Sequence, residues 1–152
     1  MFTLKRTTSE DADFVHLVSF LDADLRRRDG EDHGFFAQFN KLDSIKHVVV
    51  GYEGDMPVAC GAFKAFEGDT VEIKRMFVHE NMRGKGYAKA VLAELETWAS
   101  SLDYAHTVLE TGKRQPEAIA LYLKSGYQII PNYGQYKDVE SSVCMTKGIK
   151  TS

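Results

Sequence analysis

The spacing of hydrophobic residues along the chain predicts strands alternating with amphipathic helices. Apolar side chains at intervals of three and four predict helices over residues 9–28, around Phe35 to Leu42, over 87–101 and from Pro116 to Ser125. Runs rich in β-branched and aromatic residues predict strands over residues 2–6, 47–52, 58–66, 70–78, 106–110, 127–130 and 142–146. Because this order mixes antiparallel hairpins with strand–helix–strand crossovers, it predicts one α/β domain with a mixed sheet (α+β), not a bundle or a barrel.

Composition narrows the class of protein. The 152 residues are 43% hydrophobic and carry a net charge of −3, so a basic surface for nucleic acid or anionic membrane is not expected. No apolar run reaches the roughly 20 residues that span a bilayer, and the first residues lack the apolar core of a signal peptide. We therefore expect a soluble cytoplasmic protein without nucleic-acid or membrane partners.

The cysteines and histidines indicate no metal chemistry. The two cysteines, Cys60 and Cys144, are too few for a disulfide framework or a four-cysteine zinc site, and they are expected to behave as small buried hydrophobes. A nucleophilic role for Cys60 in its central strand is the less favoured alternative. The five histidines show no metal-ligand spacing, so we expect no metal.

The most informative segment is a glycine-rich turn between the strand over 70–78 and the helix over 87–101. It reads Arg83-Gly84-Lys85-Gly86. Such a turn directs free backbone N–H groups and the positive end of a helix towards one point, which suits a phosphate or pyrophosphate. Residues 74–89 also hold five basic residues against one acidic residue, a local charge of +4. The turn is therefore a candidate phosphate-binding site.

Three phosphate-binding patterns compete for this turn. The Walker pattern G-x-x-x-x-G-K-[ST] is absent, and the dinucleotide pattern G-x-G-x-x-G fails because Lys89 stands at its third glycine. The pattern R-x-x-G-x-A is met by Arg83, Gly86 and Ala88. A second segment, Gln115-Pro116-Glu117-Ala118-Ile119-Ala120-Leu121-Tyr122 followed by Gly126-Tyr127, matches N-x-x-A-x-x-L-Y…G-[FY] except at Gln115. With both motifs in order, the chain resembles the GCN5-related N-acetyltransferase (GNAT) superfamily.

The resemblance implies a fold, a co-substrate and a set of site residues. It implies a single domain over residues 1–152, with a twisted, mostly antiparallel central sheet and about four helices, which binds acetyl-CoA and acetylates a primary amine. The cofactor-binding positions that it implies are Met76, Phe77, Val78, Arg83, Gly84, Lys85, Gly86, Tyr87, Ala88 and Gln115. Backbone groups around Phe77 and Val78 would bind the pantetheine arm and stabilise the oxyanion. Gln115 stands where the family usually carries Asn, and its longer amide makes that contact less well defined.

The resemblance also implies the catalytic groups. Tyr122 matches the family tyrosine that protonates the leaving thiolate, and Glu72, eleven residues before Arg83, matches the catalytic glutamate of histone-type members. Neutralising a lysine-like amine at pH 7 costs roughly 4–5 kcal/mol, against about 1 for a peptide α-amine, so a base matters most for the former. Simple alternation would place Glu72 on one strand face with Lys74, Met76 and Val78 unless a bulge intervenes.

The acceptor is less defined than the cofactor. Residues 22–40 and 130–136 are the candidate acceptor-binding segments. The absence of an extended acidic or basic character favours a small amine or amino acid, with protein N-terminal acetylation as the alternative. An acyl-CoA sensor without turnover, a generic nucleotide-binding module and a homodimer also remain open.

Overall fold

Seven strands, each built from one of these β-branched or aromatic runs, form one sheet in the computed structural model, which describes residues 1–29 and 45–149. The strands are β1 (Phe2–Thr7), β2 (His47–Glu53), β3 (Met56–Glu67), β4 (Thr70–Val78), β5 (His106–Gly112), β6 (Gln128–Ile130) and β7 (Ser142–Gly148). Their order across the sheet is β1-β2-β3-β4-β5-β7-β6, and the β4–β5 pair alone is parallel. The predicted α/β class with a mostly antiparallel sheet is confirmed.

Three α-helices lie within the described residues. They are α1 (Ala12–Asp29), α2 (Tyr87–Ser101) and α3 (Pro116–Lys124). Asp11 caps α1, since its carboxylate accepts the backbone N–H of Asp13 at 2.9 Å. The fourth predicted helix, around Phe35 to Leu42, lies outside the described residues. The described residues therefore contain three α-helices, where about four were expected. None of the described helices is long and apolar enough to cross a membrane.

The sheet separates two hydrophobic clusters. Alternating residues of β2 show this division, since Val48 and Val50 pack in the cluster beneath α1 while Val49 packs in the cluster beneath α2. The larger cluster joins α2 and α3 to the sheet, and the smaller one joins α1 to the other face. Side chains of β4 and β5 that point away from the larger cluster therefore face the α1 side of the sheet.

Candidate active site

A β-bulge in β4 reverses which way the strand's side chains face. Lys74 pairs with Ala62 and Phe77 with Cys60, so the single residue Gly61 stands opposite both Arg75 and Met76. Arg75 occupies the left-handed region, with φ of 61°. The strand therefore changes its alternation at this point.

The bulge corrects the simple alternation that the sequence suggests. Before it, Ile73 packs in the cluster beneath α2 and α3, so Glu72 and Lys74 face the α1 side. Beyond it, Met76 and Val78 contact the α2 cluster instead. The two charged residues and the two apolar residues, which simple alternation places on one face, lie on opposite faces.

A cleft opens where β4 and β5 separate. The two strands pair only from Thr70–Glu72 to His106–Val108, although both continue beyond these residues. Past Glu72, none of the described strands pairs with this edge of β4. Its backbone N–H and C=O groups therefore border the cleft, as a ligand that bonds to a strand edge requires.

The glycine-rich turn lies beside this cleft. Gly84 and Gly86 have φ of 83° and 81°, a region that costs other residues about 1–2 kcal/mol. Gly86 is the N-cap of α2, so the free N–H groups of the first helical turn follow it directly. A Cβ at either glycine would meet no atom within 4 Å, so the space in front of the turn is open.

A cavity of about 300 Å³ connects the turn with the edge of β4. Its lining includes nine of the ten predicted cofactor-binding residues, namely Met76, Phe77, Val78, Arg83, Gly84, Gly86, Tyr87, Ala88 and Gln115. The tenth, Lys85, is not part of this lining, and its ammonium lies 3.7 Å from the Glu53 carboxylate. The structure thus brings almost all of the predicted set together around one cavity.

Two of the predicted cofactor-binding residues also make structural contacts that the sequence did not indicate. Arg83 donates from Nε to the carbonyl of Val78 at 3.0 Å and lies over the Phe77 ring, which ties the turn to the end of β4. Tyr87 donates its hydroxyl to Glu53 at 2.6 Å and stacks on Phe2. Tyr87 therefore borders the cavity while its hydroxyl is held by β2.

A second, smaller cavity of about 110 Å³ lies on the other side of α3's tyrosine. The charged residues in its lining are Glu72, Lys74, Arg75 and Glu110. Gln115 and Tyr122 line both cavities. The helix α3 therefore places Tyr122 where the two spaces meet.

Tyr122 is buried, with 6% of its surface exposed, and its ring packs edge-on against Tyr127. No hydrogen bond to its hydroxyl is found from residues 1–29 or 45–149. Burial, and then the charge of Glu110, raise the pKa of this hydroxyl well above its usual range. The group therefore stays protonated at neutral pH and keeps its proton for donation.

Glu72 is also buried, with 5% exposed, and both of its carboxylate oxygens are engaged. The Tyr133 hydroxyl donates to Oε2 at 2.7 Å, and the Lys74 ammonium lies 3.6 Å from Oε1. Burial and the Glu72 charge raise the pKa of Tyr133. Tyr133 belongs to the predicted acceptor segment 130–136, so this segment contacts the cleft residue Glu72. Residues 30–40 of the other predicted acceptor segment lie outside the described residues.

Sequence reasoning missed Glu110. It lies on β5, accepts a hydrogen bond from the Ser142 hydroxyl at 2.8 Å and lines the smaller cavity. Its signal was an isolated carboxylate in an otherwise β-branched and apolar strand, Thr107-Val108-Leu109-Glu110. Only the separation of β4 from β5 turns that carboxylate into a cleft residue.

The cysteines lie in the core, as expected. Burial raises the pKa of Cys60 to about 12 and that of Cys144 to about 11, so both are thiols at neutral pH. Cys60 donates its thiol to the carbonyl of Arg75 at 3.3 Å. Among the described residues, no group of three or more potential ligands could hold a metal ion.

Comparison with known proteins identifies the family. The model of the Acetyltransferase (GNAT) family matches residues 11–127. The chain belongs to this family. Its enzyme class is accordingly that of the acetyl-CoA-dependent N-acyltransferases.

Individual proteins agree with this assignment. An IAA acetyltransferase of Azospirillum brasilense is 36% identical over 104 residues, which cover 68% of this chain and 67% of that protein. A Klebsiella pneumoniae crystal structure, assigned as an acyl-CoA N-acyltransferase, has 28% identity and a TM-score of 0.82, with 98% of each chain covered. A GNAT acetyltransferase of Elizabethkingia anophelis, solved with acetyl-CoA bound, has 18% identity, a TM-score of 0.70 and 97% of each chain covered, and it shares the fold.

Proposed function

We propose that this GNAT protein transfers an acetyl group from acetyl-CoA to the primary amine of a small molecule or amino acid, by direct attack within a ternary complex. The observation that carries the proposal is the position of Tyr122 between two cavities. One is bordered by the glycine-rich turn and the free edge of β4. The lining of the other includes the carboxylates of Glu72 and Glu110, which attract an amine, beside the basic residues Lys74 and Arg75. We further propose that residues 1–152 form one such domain.

The residues present fit a coenzyme A molecule. The two glycines leave open space before the N-terminus of α2, where free N–H groups and the helix dipole would stabilise a pyrophosphate. The unpaired edge of β4 offers backbone groups to the pantetheine amides, although the Val78 carbonyl already accepts from Arg83. When bound, acetyl-CoA supplies the activated acetyl thioester.

Tyr122 is the proposed general acid. As the amine nitrogen bonds to the acetyl carbon, the carbon–sulfur bond breaks and the sulfur takes the tyrosine proton. The raised pKa of Tyr122 keeps that proton in place until the thiolate forms. A backbone N–H at the free edge of β4 would stabilise the charge on the carbonyl oxygen.

Glu72 is the proposed base. Because Tyr133 and Lys74 hold its two oxygens, it would take the amine proton through a water molecule. Tyr133 acts as a positioning residue that fixes the carboxylate. The proton accepted at Glu72 balances the proton given up by Tyr122, and both groups return to their starting state by exchange with solvent.

The test is thiol release from acetyl-CoA across amino acids, alkylamines, polyamines, aminoglycosides and short peptides. Tyr122→Phe is compared with Tyr104→Phe, which removes the hydroxyl of a tyrosine whose ring packs edge-on against Phe63 and which lines neither cavity. Turnover lost in the first variant and kept in the second supports the proposal. Turnover with peptides alone favours N-terminal acetylation, and tight CoA binding without turnover with any amine favours a sensor. Sedimentation of the same protein tests whether it is a homodimer.

A further inference from the structure

Five of the described residues line both cavities and therefore mark the boundary between them. They are Leu21, Met76, Gln115, Ala118 and Tyr122. Leu21 comes from α1 and packs in the smaller hydrophobic cluster, whereas Ala118 and Tyr122 come from α3 and pack with the larger one. The boundary is therefore enclosed from both faces of the sheet.

The thioester of a bound acyl-CoA has to lie at this boundary. Its sulfur must reach the Tyr122 hydroxyl, while the amine must approach the carbonyl carbon from the smaller cavity. The acyl chain beyond that carbonyl then has two directions open to it. It can enter the smaller cavity, or it can lie against the apolar residues of the boundary, which are Leu21, Met76 and Ala118.

The smaller cavity is an unfavourable place for a hydrocarbon chain. Its lining includes the charged residues Glu72, Lys74, Arg75 and Glu110, and its volume is about 110 Å³. A chain in this space would take charged groups out of contact with water and occupy the room that the amine needs. The acyl chain is therefore directed towards the apolar part of the boundary.

Leu21 closes this apolar part on the α1 side. Its side chain is buried and belongs to the same hydrophobic cluster as Leu17 and Phe77. The next residue of α1, Asp22, lies 3.7 Å from the Arg75 guanidinium, which holds this turn of the helix against the bulge of β4. Because such a core is close-packed, the branched Leu21 side chain has little room to move aside for a longer acyl chain.

The other two apolar residues are less suited to limit the chain. Ala118 ends in a methyl group. Met76 has an adaptable, unbranched side chain, and its sulfur lies over Gly61, where an added Cβ would come 2.5 Å from it. The end of Met76 is therefore directed towards β3, which leaves Leu21 as the residue that faces the chain.

We propose that Leu21 sets the length of the acyl group that the protein transfers, so that an acetyl group fits while a butyryl group is excluded. This inference rests on the proposed function, which places the thioester beside Tyr122. The selection works by steric exclusion of longer chains and needs no additional attraction for the short one. It gives α1 a part in the choice of donor.

The turnover arm of the test compares acetyl-, propionyl- and butyryl-CoA with one accepted amine at saturating concentration. In the wild type, kcat/KM should fall at least about tenfold for each added methylene, as in pockets that reject one methylene. In Leu21→Ala, the preference for acetyl-CoA over butyryl-CoA should fall at least about tenfold. Leu21→Val should lower it less and carries the test if Leu21→Ala does not fold.

Leu17→Ala is the matched control for these variants. Leu17 is buried on the same helix, one turn earlier and in the same cluster, but it lines neither cavity. Its truncation should lower stability, as Leu21→Ala does, and leave the donor preference unchanged. Melting curves of all variants separate the loss of stability from the change in preference.

The binding arm distinguishes a failure of this inference from a failure of the proposed function. Acetyl-CoA and butyryl-CoA are titrated by calorimetry into each variant without an amine. Tighter binding of acetyl-CoA that depends on Leu21 supports the inference even if no amine is acetylated, a result that would contradict the proposed function alone. No preference for acetyl-CoA in either arm, or a preference that the Leu21 variants keep or that Leu17→Ala lowers equally, would overturn the inference.

Discussion

The two cavities that meet at Tyr122 are lined by different kinds of chemical groups. The larger one is made mainly of backbone and apolar surface, with two left-handed glycines, a strand edge and the start of a helix. The lining of the smaller one includes four charged side chains, all of which come from β4 and β5. Binding at the first therefore depends mainly on backbone conformation, whereas binding at the second depends on the charges of a few side chains.

The largest expected effect concerns Tyr122, the proposed general acid, which lines both cavities. Tyr122→Phe should lower kcat about 100- to 1,000-fold, the range of a lost general acid, while KM for acetyl-CoA changes less than about threefold. Steady-state thiol release measures both, with Tyr104→Phe as control. A loss confined to KM would show that Tyr122 belongs to the cofactor cavity alone.

The next effect separates the two carboxylates of the smaller cavity. Glu72→Gln should lower kcat about 100-fold with an alkylamine and only about tenfold with the α-amine of a short peptide, because the peptide α-amine is more readily neutral. Glu110→Gln should mainly raise KM for the amine, since it removes the charge that attracts the ammonium. If Glu110→Gln gives the larger loss in kcat with KM unchanged, the base assignment is reversed.

A glycine substitution tests whether the backbone of the glycine-rich turn forms the phosphate-binding part of the larger cavity. Gly86→Ala should destabilise the fold by about 1–2 kcal/mol, because φ of 81° disfavours a side chain, and weaken CoA binding about tenfold. Gly54→Ala is the matched control, since Gly54 has φ of 62°, equally open space and a place in the β2–β3 hairpin away from both cavities. Melting curves and CoA titration should show similar stability losses but a binding defect only in Gly86→Ala. Equal CoA binding in both variants would argue against the turn as the phosphate site.

The smallest expected effect concerns the pH dependence of kcat, which should stay unchanged at high pH. A general acid must be protonated, and burial with the Glu110 charge places the pKa of Tyr122 above that of a free tyrosine. Activity should therefore persist as pH rises, and kcat should not fall between pH 8 and about 10. A decline in kcat centred below pH 9, absent from Tyr122→Phe, would contradict the environment described for this hydroxyl.

The parts of the site that depend on local backbone conformation were predictable from sequence. The strand over residues 70–78 and the helix over 87–101 have the predicted bounds, and the glycines between them mark φ values that few other residues adopt. Tyr122 was found through its motif on α3. These features are encoded within short segments, so a single sequence reveals them.

The rest depends on contacts between distant segments. The bulge at Arg75 has no glycine at its left-handed position, and it is defined by the pairs on either side of it, from Cys60 and Ala62 of the neighbouring strand. The hydrogen bond from Tyr133 to Glu72 joins residues 61 positions apart. Glu110 reaches the cleft because β4 and β5 separate after three paired residues. The sequence around these residues does not indicate which distant segments they contact.

A crystal structure of the protein with CoA tests the central claim most directly, through the distance from the Tyr122 hydroxyl to the CoA sulfur. The account predicts the pyrophosphate against the glycine-rich turn and a distance of about 3–4 Å, short enough for direct proton donation. A CoA molecule whose sulfur lies beyond about 6 Å from that hydroxyl, or whose pyrophosphate lies away from Gly84 and Gly86, would contradict it.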